Sequence, residues 1–300
     1  MVSNHITKTG ILNVNKPAGM TSFQVVAAVR RLSGERRVGH AGTLDPDATG
    51  VLPVCIGQAT RVIEFLVTTT KEYRAEIELG VITDTYDRSG RVTGQRGTSH
   101  LSREDVIAAL ENFRGAIEQT PPMYSAKKQD GKRLYELARQ GIEVERPRQT
   151  VVVHELEMIS WQPPRLTVRV VCSKGTYIRS LAHDLGARLG CGGCLNRLVR
   201  TRVGIFRIEE AIPLDRLEAG GREADWSPWL HPLDSVLTDR PAVTVSDAQR
   251  EQIRNGQPMM LENSLDETAE CRVYGLDGCF IGVLRFNATQ KLWCPYKVFG

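Results

Sequence analysis

Two arginines, a histidine and two aspartates, side chains of the types that take part in catalysis, lie within fifteen residues from Arg36 to Gly50. The sequence there is Arg-Arg-Val-Gly-His-Ala-Gly-Thr-Leu-Asp-Pro-Asp-Ala-Thr-Gly. Three glycines and a proline make this stretch unfavourable for a helix or a central strand, so it predicts a rigid polar loop. Pro46 restricts the backbone directly behind Asp45, and a carboxylate held on such a loop can act as a nucleophile or a base. An isolated Leu-Asp-Pro is also typical of an ordinary Asx-Pro turn, so other motifs in the chain must distinguish a catalytic loop from a structural turn.

Other common catalytic motifs are absent from the sequence. It contains no Gly-x-x-x-x-Gly-Lys-Ser/Thr or Gly-x-Gly-x-x-Gly loop for a nucleotide, no Gly-x-Ser-x-Gly and no His-Glu-x-x-His. Cys191 and Cys194 have the spacing of a metal or redox pair, but no second pair accompanies them, and we interpret them instead as part of a glycine-rich turn between a helix and the next strand. We therefore expect no cofactor, no nucleotide and no metal, and carboxylate chemistry remains.

The charge distribution favours a polyanionic partner. The 300 residues carry a net charge of only +4, but five arginines and no acidic residue lie between Leu185 and Ile208. Between Ala126 and Arg148, seven basic residues accompany four acidic ones. Two such segments suit a phosphate backbone better than a small neutral ligand. Without a long apolar run or an apolar amino terminus, we expect a cytoplasmic protein that does not contact a membrane.

Helices and strands that could position Asp45 follow from periodicity and capping signals. Thr21 and Ser22 precede an apolar stripe and predict a helix that ends before Gly34. From Lys71 to Gly80, alternation places Tyr73 on the buried face of a strand. The same signals predict strands at 150–158 and 166–172 and helices at 102–115, 134–139 and 177–189. Because strands and helices mix without a βαβ rhythm, the predicted fold class is α+β with a mixed sheet.

A loop-like segment near residues 224–241, rich in proline, indicates a domain boundary. Beyond it, Ser246 predicts a short helix that ends at Gly256, and a Leu-Asp-Gly turn at 276–278 predicts a hairpin. We therefore expect a large domain at 1–238 and a small β-rich domain at 239–300.

Five motifs in collinear order resemble the TruB family of tRNA pseudouridine synthases. They are 10–22 (Gly-Ile-Leu-Asn-Val-Asn-Lys-Pro-Ala-Gly-Met-Thr-Ser), the loop 36–50, 71–75 (Lys-Glu-Tyr-Arg-Ala), 119–125 and 173–180 (Ser-Lys-Gly-Thr-Tyr-Ile-Arg-Ser). The resemblance implies a pseudouridine synthase catalytic domain with a mixed β-sheet, a thumb insertion at about 120–148, and a PUA-like RNA-binding domain at the carboxyl end. It also implies a monomer that binds the T-arm stem-loop of tRNA and isomerises uridine 55 to pseudouridine.

The resemblance assigns three catalytic residues. Asp45 corresponds to the essential aspartate, which acts as a nucleophile or as a carboxylate that forms a glycal. Arg179 corresponds to the arginine that pairs with it, and Tyr73 to the tyrosine that stacks on the target base and assists proton removal from C5. Read without the resemblance, Arg179 could be a phosphate contact or a solvated helix residue, and Tyr73 a core aromatic.

Further residues are implied to bind the RNA. His40 would insert beside the extruded base, Lys16 would support the floor of the active site, and Leu198 would contact the uracil face. On residue type alone, the three could be a structural histidine, a surface lysine and a core leucine. The thumb would contribute four basic residues, Lys127, Lys128, Lys132 and Arg133.

Two alternatives remain open at this point. A noncatalytic RNA-binding or RNA-chaperone protein could share the fold, but it would be free to lose Asp45 or Arg179, and both are present. A related synthase that works with guide components is a second alternative, disfavoured by the bacterial type of thumb and tail. We interpret Asp47, Asp84 and Asp87 as structural residues rather than as acid-base partners or a calcium loop.

Overall fold

A computed structural model describes residues 9–125, 127–129, 131–221, 224–261 and 270–299. In chain order the strands are β1 (Gly10–Lys16), β2 (Val38–His40), β3 (Thr49–Ile56), β4 (Lys71–Leu79), β5 (Val81–Thr83), β6 (Val92–Gln95), β7 (Gly115–Gln119), β8 (Lys128–Gln129), β9 (Lys132–Arg133), β10 (Gln149–Gln162), β11 (Arg165–Cys172), β12 (Gly193–Val203), β13 (Phe206–Arg207), β14 (Ile212–Pro213), β15 (Leu230–His231), β16 (Ala242–Val245), β17 (Glu270–Gly275), β18 (Phe280–Asn287) and β19 (Leu292–Val298). The α-helices are α1 (Ser22–Ser33), α2 (Ile63–Thr68), α3 (Arg103–Glu111), α4 (Leu134–Arg139), α5 (Ile178–Arg188), α6 (Leu214–Gly220) and α7 (Asp247–Arg254). Short 3-10 helices span Gly57–Val62, Ile208–Glu210, Ser227–Trp229 and Leu233–Leu237.

One large mixed sheet organises the first part of the chain. Its strand order is β14-β1-β3-β12-β4-β11-β10-β7, and β2, β13 and β15 pair with its members beside this path. Strands β1 and β14, and β3 and β12, are parallel, whereas the pairs from β12 through β4, β11 and β10 to β7 are antiparallel. This topology confirms the predicted mixed α+β class.

Local sequence signals correctly predicted the elements nearest the site. Thr21 forms a capping box with Gln24 at the start of α1, and Gly34 ends that helix in the left-handed conformation with φ of 74°. Along β4, Tyr73, Ala75, Ile77 and Leu79 are all buried, as the alternation indicates. Helix α3, by contrast, ends at Glu111, and Gly115 opens β7 instead of closing the helix.

The segment 36–50 is only partly the loop that its composition indicates. Val38–His40 form β2, which pairs with the end of β3, and β3 itself begins at Thr49. The irregular parts are therefore residues 36–37 and 41–48. The prediction was wrong for 38–40 and 49–50, because pairing between β2 and β3 and within the large sheet satisfies the backbone of glycine-containing segments that have little strand propensity of their own.

Helices cover both faces of the sheet. Successive residues of β1 point to opposite faces, so Leu12 packs in a cluster with α1, whereas Ile11 packs in another with Phe65 of α2. A third cluster lies under α3 and α5 and contains Tyr73 and Leu198. Within the described residues, no helix is long and apolar enough to cross a membrane.

The end of the chain forms a four-stranded sheet in the order β16-β17-β18-β19, with its own apolar cluster. Strands β17 and β18 form the predicted hairpin, and α7 begins after Ser246 as predicted. Val283 and Phe299 of this β-rich part pack in the same cluster as Ile11 of the large sheet. The Tyr296 hydroxyl also donates a hydrogen bond to Glu64 of α2 at 2.5 Å.

Candidate active site

Loop 41–48 presents Asp45 from a backbone that is anchored at several points. The Leu44 N–H donates to Ser22 Oγ at 2.9 Å, and that hydroxyl donates in turn to the Leu44 carbonyl at 3.2 Å. Pro46 accepts a hydrogen bond from the Gly19 N–H at 3.0 Å. The loop is thus tied to the start of α1 and to the turn before it, which fixes the position of the Asp45 carboxylate.

Arg179 of α5 forms an ion pair with the Asp45 carboxylate through two contacts. Its Nε lies 2.9 Å from Asp45 Oδ2, and its Nη2 donates to Oδ1 at 3.1 Å. The Arg179 side chain is 6% exposed, whereas the Asp45 side chain is 41% exposed, so the carboxylate remains accessible to a substrate. The ion pair is confirmed, and its two-point geometry fixes the orientation of both oxygens.

Asp87 approaches the same guanidinium from another side, with its Oδ2 3.5 Å from Arg179 Nη1. Thr85 and Ser89 hydroxyls hold Asp87 Oδ1 at 2.7 and 2.5 Å. Nothing in the spacing of the Thr-Asp-Thr-Tyr-Asp run relates Asp87 to Asp45 or Arg179, so its interpretation as a structural residue missed this contact.

Lys16 supports the loop from beneath. Its fully buried ammonium donates to the carbonyls of Pro17, Met20 and Pro46 at 2.8, 2.6 and 2.8 Å. These bonds join the end of β1, the turn before α1 and the loop that carries Asp45. Burial lowers the pKa of Lys16 to about 8, although the nearby carboxylates of Asp47 and Asp45 oppose the shift.

The electrostatic environment of Asp45 contains opposing effects. Burial raises the pKa of Asp45 above its ordinary value, while Arg179 and Lys16 lower it and the like charge of Asp87 adds to the rise. The two cations therefore favour the ionised form that a nucleophile or base requires. An Asp45 carboxylate without Arg179 would protonate at higher pH.

Tyr73 and Leu198 form an apolar wall next to the loop. Both are buried, at 9% and 8% exposure, in the same cluster as Leu44 and Ala48. They come from the neighbouring strands β4 and β12, in which Leu198 pairs with Ala75, two residues beyond Tyr73. The structure thus brings Asp45, Arg179, Tyr73, Lys16 and Leu198 together around one loop.

His40 and the thumb residues lie outside this group of contacts. His40 ends β2, five residues before Asp45, and burial together with the charge of Arg200 lowers its pKa, which favours the neutral imidazole. In the thumb, Lys127 Nζ donates to Gln149 at 3.1 Å and Lys132 is exposed. Lys128 and Arg133 pair through the backbones of β8 and β9, and their side chains lie outside the described part of the structure.

In the Cys-Gly-Gly-Cys motif, Cys191 lies in the turn between α5 and β12, and Cys194 is the second residue of β12. Both are buried, and burial raises the pKa of each thiol, to about 11 for Cys194. Over residues 9–299, in the parts that are described, no group of three or more metal-binding side chains occurs. The predicted glycine-rich turn is confirmed.

Known structures share this architecture. The chain aligns over 99% of its length with 85% of a protein from the crystal structure of a Cbf5-Nop10-Gar1 complex, at 26% identity and a TM-score of 0.72. A chain of an H/ACA RNP bound to a substrate RNA containing 2'-deoxyuridine aligns with a TM-score of 0.72 at 24% identity, covering all of this chain and 87% of that one, which supports the fold alone.

Family and relatives agree with the fold. Residues 30–178 match the TruB family pseudouridylate synthase amino-terminal domain, residues 179–238 the tRNA pseudouridylate synthase B carboxyl-terminal domain, and residues 241–293 the pseudouridine synthase II TruB carboxyl-terminal domain. A tRNA pseudouridine synthase B of Dehalococcoides mccartyi (strain BAV1) is 44% identical over 97% of this chain and 96% of its own. One of Symbiobacterium thermophilum is 50% identical over 82% of each. The fold and these matches define a pseudouridylate synthase. The chain belongs to the TruB family.

Proposed function

We propose that this protein is a tRNA pseudouridine synthase that isomerises uridine 55 in the T-arm loop, with Asp45 as the reacting carboxylate. The observation that carries the proposal is the two-point ion pair of Asp45 with the buried Arg179, beside the wall formed by Tyr73 and Leu198. The relatives named tRNA pseudouridine synthase B support tRNA as the substrate.

The reaction needs no net change of atoms. The bond between N1 of uracil and C1' of the ribose breaks, the base turns, and a bond from C5 to the same C1' forms. C5 then loses its proton, and N1 gains one. Asp45 either attacks C1' and is later displaced by C5, or removes the C2' proton to form a glycal and returns a proton to C2' when C5 bonds to C1'. Both routes require an ionised carboxylate.

Each neighbouring residue has a part in this scheme. Arg179 keeps Asp45 ionised and oriented. Tyr73 stacks on the uracil and directs its hydroxyl toward proton removal from C5, while Leu198 contacts the other face. Lys16 holds the loop backbone at Pro46 so that the carboxylate does not drift from C1'.

RNA binding requires that the uridine leave its stack, which costs a few kcal/mol. His40 fills the position that the base vacates. Lys127, Lys128, Lys132 and Arg133 of the thumb, residues 120–148, contact phosphates. The catalytic domain spans 1–238, a PUA-like domain at 239–300 binds the rest of the tRNA, and the protein acts as a cytoplasmic monomer.

The direct test is Asp45→Asn with a T-arm minihelix, scored by chemical detection of pseudouridine. We expect turnover to be abolished and RNA affinity to stay within about tenfold, because binding depends on phosphate contacts. Asp47→Asn, an exposed substitution in the same loop, is the matched control and should keep turnover. Turnover in Asp45→Asn would refute the mechanism, and a wild-type protein that binds RNA without turnover would favour the noncatalytic alternative.

A further inference from the structure

A fully buried arginine lies at the centre of the large sheet, outside the set of residues that the reaction scheme uses. Arg200 of β12 is 1% exposed, and it forms no ion pair with any carboxylate in the described part of the chain. Burying an unpaired cation is unfavourable unless every N–H finds an acceptor, so this position demands a specific explanation.

The guanidinium bridges the two ends of loop 41–48 and lies beside Tyr73. Its Nε donates to the Val51 carbonyl at 2.7 Å, beyond the carboxyl end of loop 41–48, and its Nη2 donates to the Gly42 carbonyl at 3.0 Å, at the amino end. Tyr73 is the cross-strand partner of Arg200 on β4, so the two side chains lie next to each other on the same face of the sheet. One rigid group therefore binds both flanks of the Asp45 loop and lies beside the phenol at the proposed uracil site.

The strand register produces this arrangement. On one side of β12, Arg200 pairs with Tyr73 of β4, and on the other it pairs with Gly50 of β3. Gly50 adopts φ of 103°, and a Cβ there would lie 2.2 Å from the Arg200 carbonyl oxygen. The close approach of β3 to β12 thus depends on a glycine, and it brings the loop carbonyls within reach of the guanidinium.

We propose that Arg200 is a positioning residue for the isomerisation. It holds the Tyr73 phenol and both ends of loop 41–48 in fixed positions relative to one another. This inference rests on the proposed function of Asp45 and Tyr73. Arg200 itself is too buried to touch the RNA, so it acts only through the groups that it binds.

The electrostatics agree with the geometry. Burial raises the pKa of Tyr73, and the charge of Arg200 opposes that rise. The same charge lowers the pKa of His40. A lysine would keep the charge but not the planar fork of donors, so it could not bond the Val51 and Gly42 carbonyls in this geometry.

The test is a double-mutant cycle of Arg200→Lys and Tyr73→Phe, read by single-turnover rate and by RNA affinity on the same minihelix. Because misplacement by about 1 Å can slow catalysis about 100-fold, we expect Arg200→Lys to lose between about 10-fold and 100-fold in rate. RNA affinity should stay within about threefold, since no phosphate contact is removed. In the Tyr73→Phe background, the same substitution should cost less rate, because only its effect on loop 41–48 remains to be lost.

The matched control is Arg202→Lys, on the same strand. A register irregularity places Arg202 opposite Glu72, with which it forms an ion pair, so it lies away from Tyr73. This variant should keep both rate and affinity. The inference would be overturned if the rate loss of the double variant equalled the product of the losses in Arg200→Lys and Tyr73→Phe. It would also be overturned if Arg200→Lys lost as much RNA affinity as rate. Neither result would affect the test of Asp45.

A second readout does not depend on activity. The protein is labelled with 3-fluorotyrosine, and the Tyr73 signal is assigned in the ¹⁹F spectrum by its disappearance in Tyr73→Phe. Arg200→Lys should displace the Tyr73 signal, whereas Arg202→Lys should leave it in place, and circular dichroism verifies that each variant is folded. An unmoved Tyr73 signal in folded Arg200→Lys would also overturn the inference.

Discussion

Asp45 and Asp87 share one guanidinium. Arg179 contacts Asp45 Oδ2 at 2.9 Å through Nε and Asp87 Oδ2 at 3.5 Å through Nη1, and its Nη2 also donates to the Tyr124 carbonyl at 2.9 Å. The side chain is thus held on three sides before any RNA arrives. Such preorganisation means that Arg179 need not reorganise when charge develops at the reacting centre.

The first prediction concerns Asp87→Asn. The amide keeps the shape of the side chain but removes a negative charge that raises the pKa of Asp45. The acid limb of the pH–rate profile should therefore move to lower pH. The maximal single-turnover rate should fall by about tenfold, because Arg179 loses one of its fixed contacts. An unchanged acid limb together with an unchanged rate would show that Asp87 does not act on this pair.

Arg179→Gln should shift the acid limb in the opposite direction. Arg179 is the largest influence that lowers the pKa of Asp45 against the effect of burial, so its loss leaves burial unopposed. The proposed mechanism requires ionised Asp45, so activity should be lost at a higher pH than in the wild type. If the acid limb moves in opposite directions in Arg179→Gln and Asp87→Asn, measured on one minihelix, it reports the ionisation of Asp45. Displacements in the same direction would exclude that assignment.

A third prediction links Lys16 to stability. Its pKa in the folded protein is lowered to about 8 by burial, whereas the unfolded chain keeps the proton up to about pH 10.5. Between these values the unfolded state binds more protons, so the contribution of Lys16 to stability rises with pH. The free energy of unfolding of the wild type minus that of Lys16→Met should therefore increase from pH 8 to pH 9.5 in urea titrations. A constant difference would mean that Lys16 is not buried as a charged group.

Signals between residues close in the sequence predicted much of the secondary structure. The contacts that they missed depend on which strands pair with each other and in which register. The capped helix α1 and the alternation along β4 depend on residues only a few positions apart, so the sequence reveals them directly. The contacts of Asp87 with Arg179 and of Arg200 with Gly42 join residues 92 and 158 positions apart. They depend on which strands become neighbours, and no periodicity within a short window encodes that choice. The motif resemblance identified Lys16 and Leu198 for the same site, although their residue types alone indicate a surface and a core position.

The thumb supplies a fourth prediction, which concerns salt. Lys132 is exposed in β9 of the thumb, where it is proposed to contact a phosphate. Lys132→Ala should weaken minihelix binding and reduce the slope of log affinity against log salt by about 1. Lys132→Arg preserves the charge and should retain the wild-type slope. Equal slopes in the wild type and Lys132→Ala would remove this residue from the RNA interface.

Gly50→Ala should be strongly destabilising, because it separates the two strands that carry the site. The residue has φ of 103°, where a side chain is strained, and its Cβ would lie 2.2 Å from the Arg200 carbonyl oxygen and 2.9 Å from the Arg200 nitrogen. These are backbone atoms and cannot rotate away, so β3 and β12 must part. We expect a loss of about 3 kcal/mol or more in the free energy of unfolding. Gly97→Ala, where a Cβ meets nothing within 4 Å, should change stability by no more than about 0.5 kcal/mol. If both variants unfold at the same denaturant concentration as the wild type, the close approach of Gly50 to Arg200 is not required by the fold.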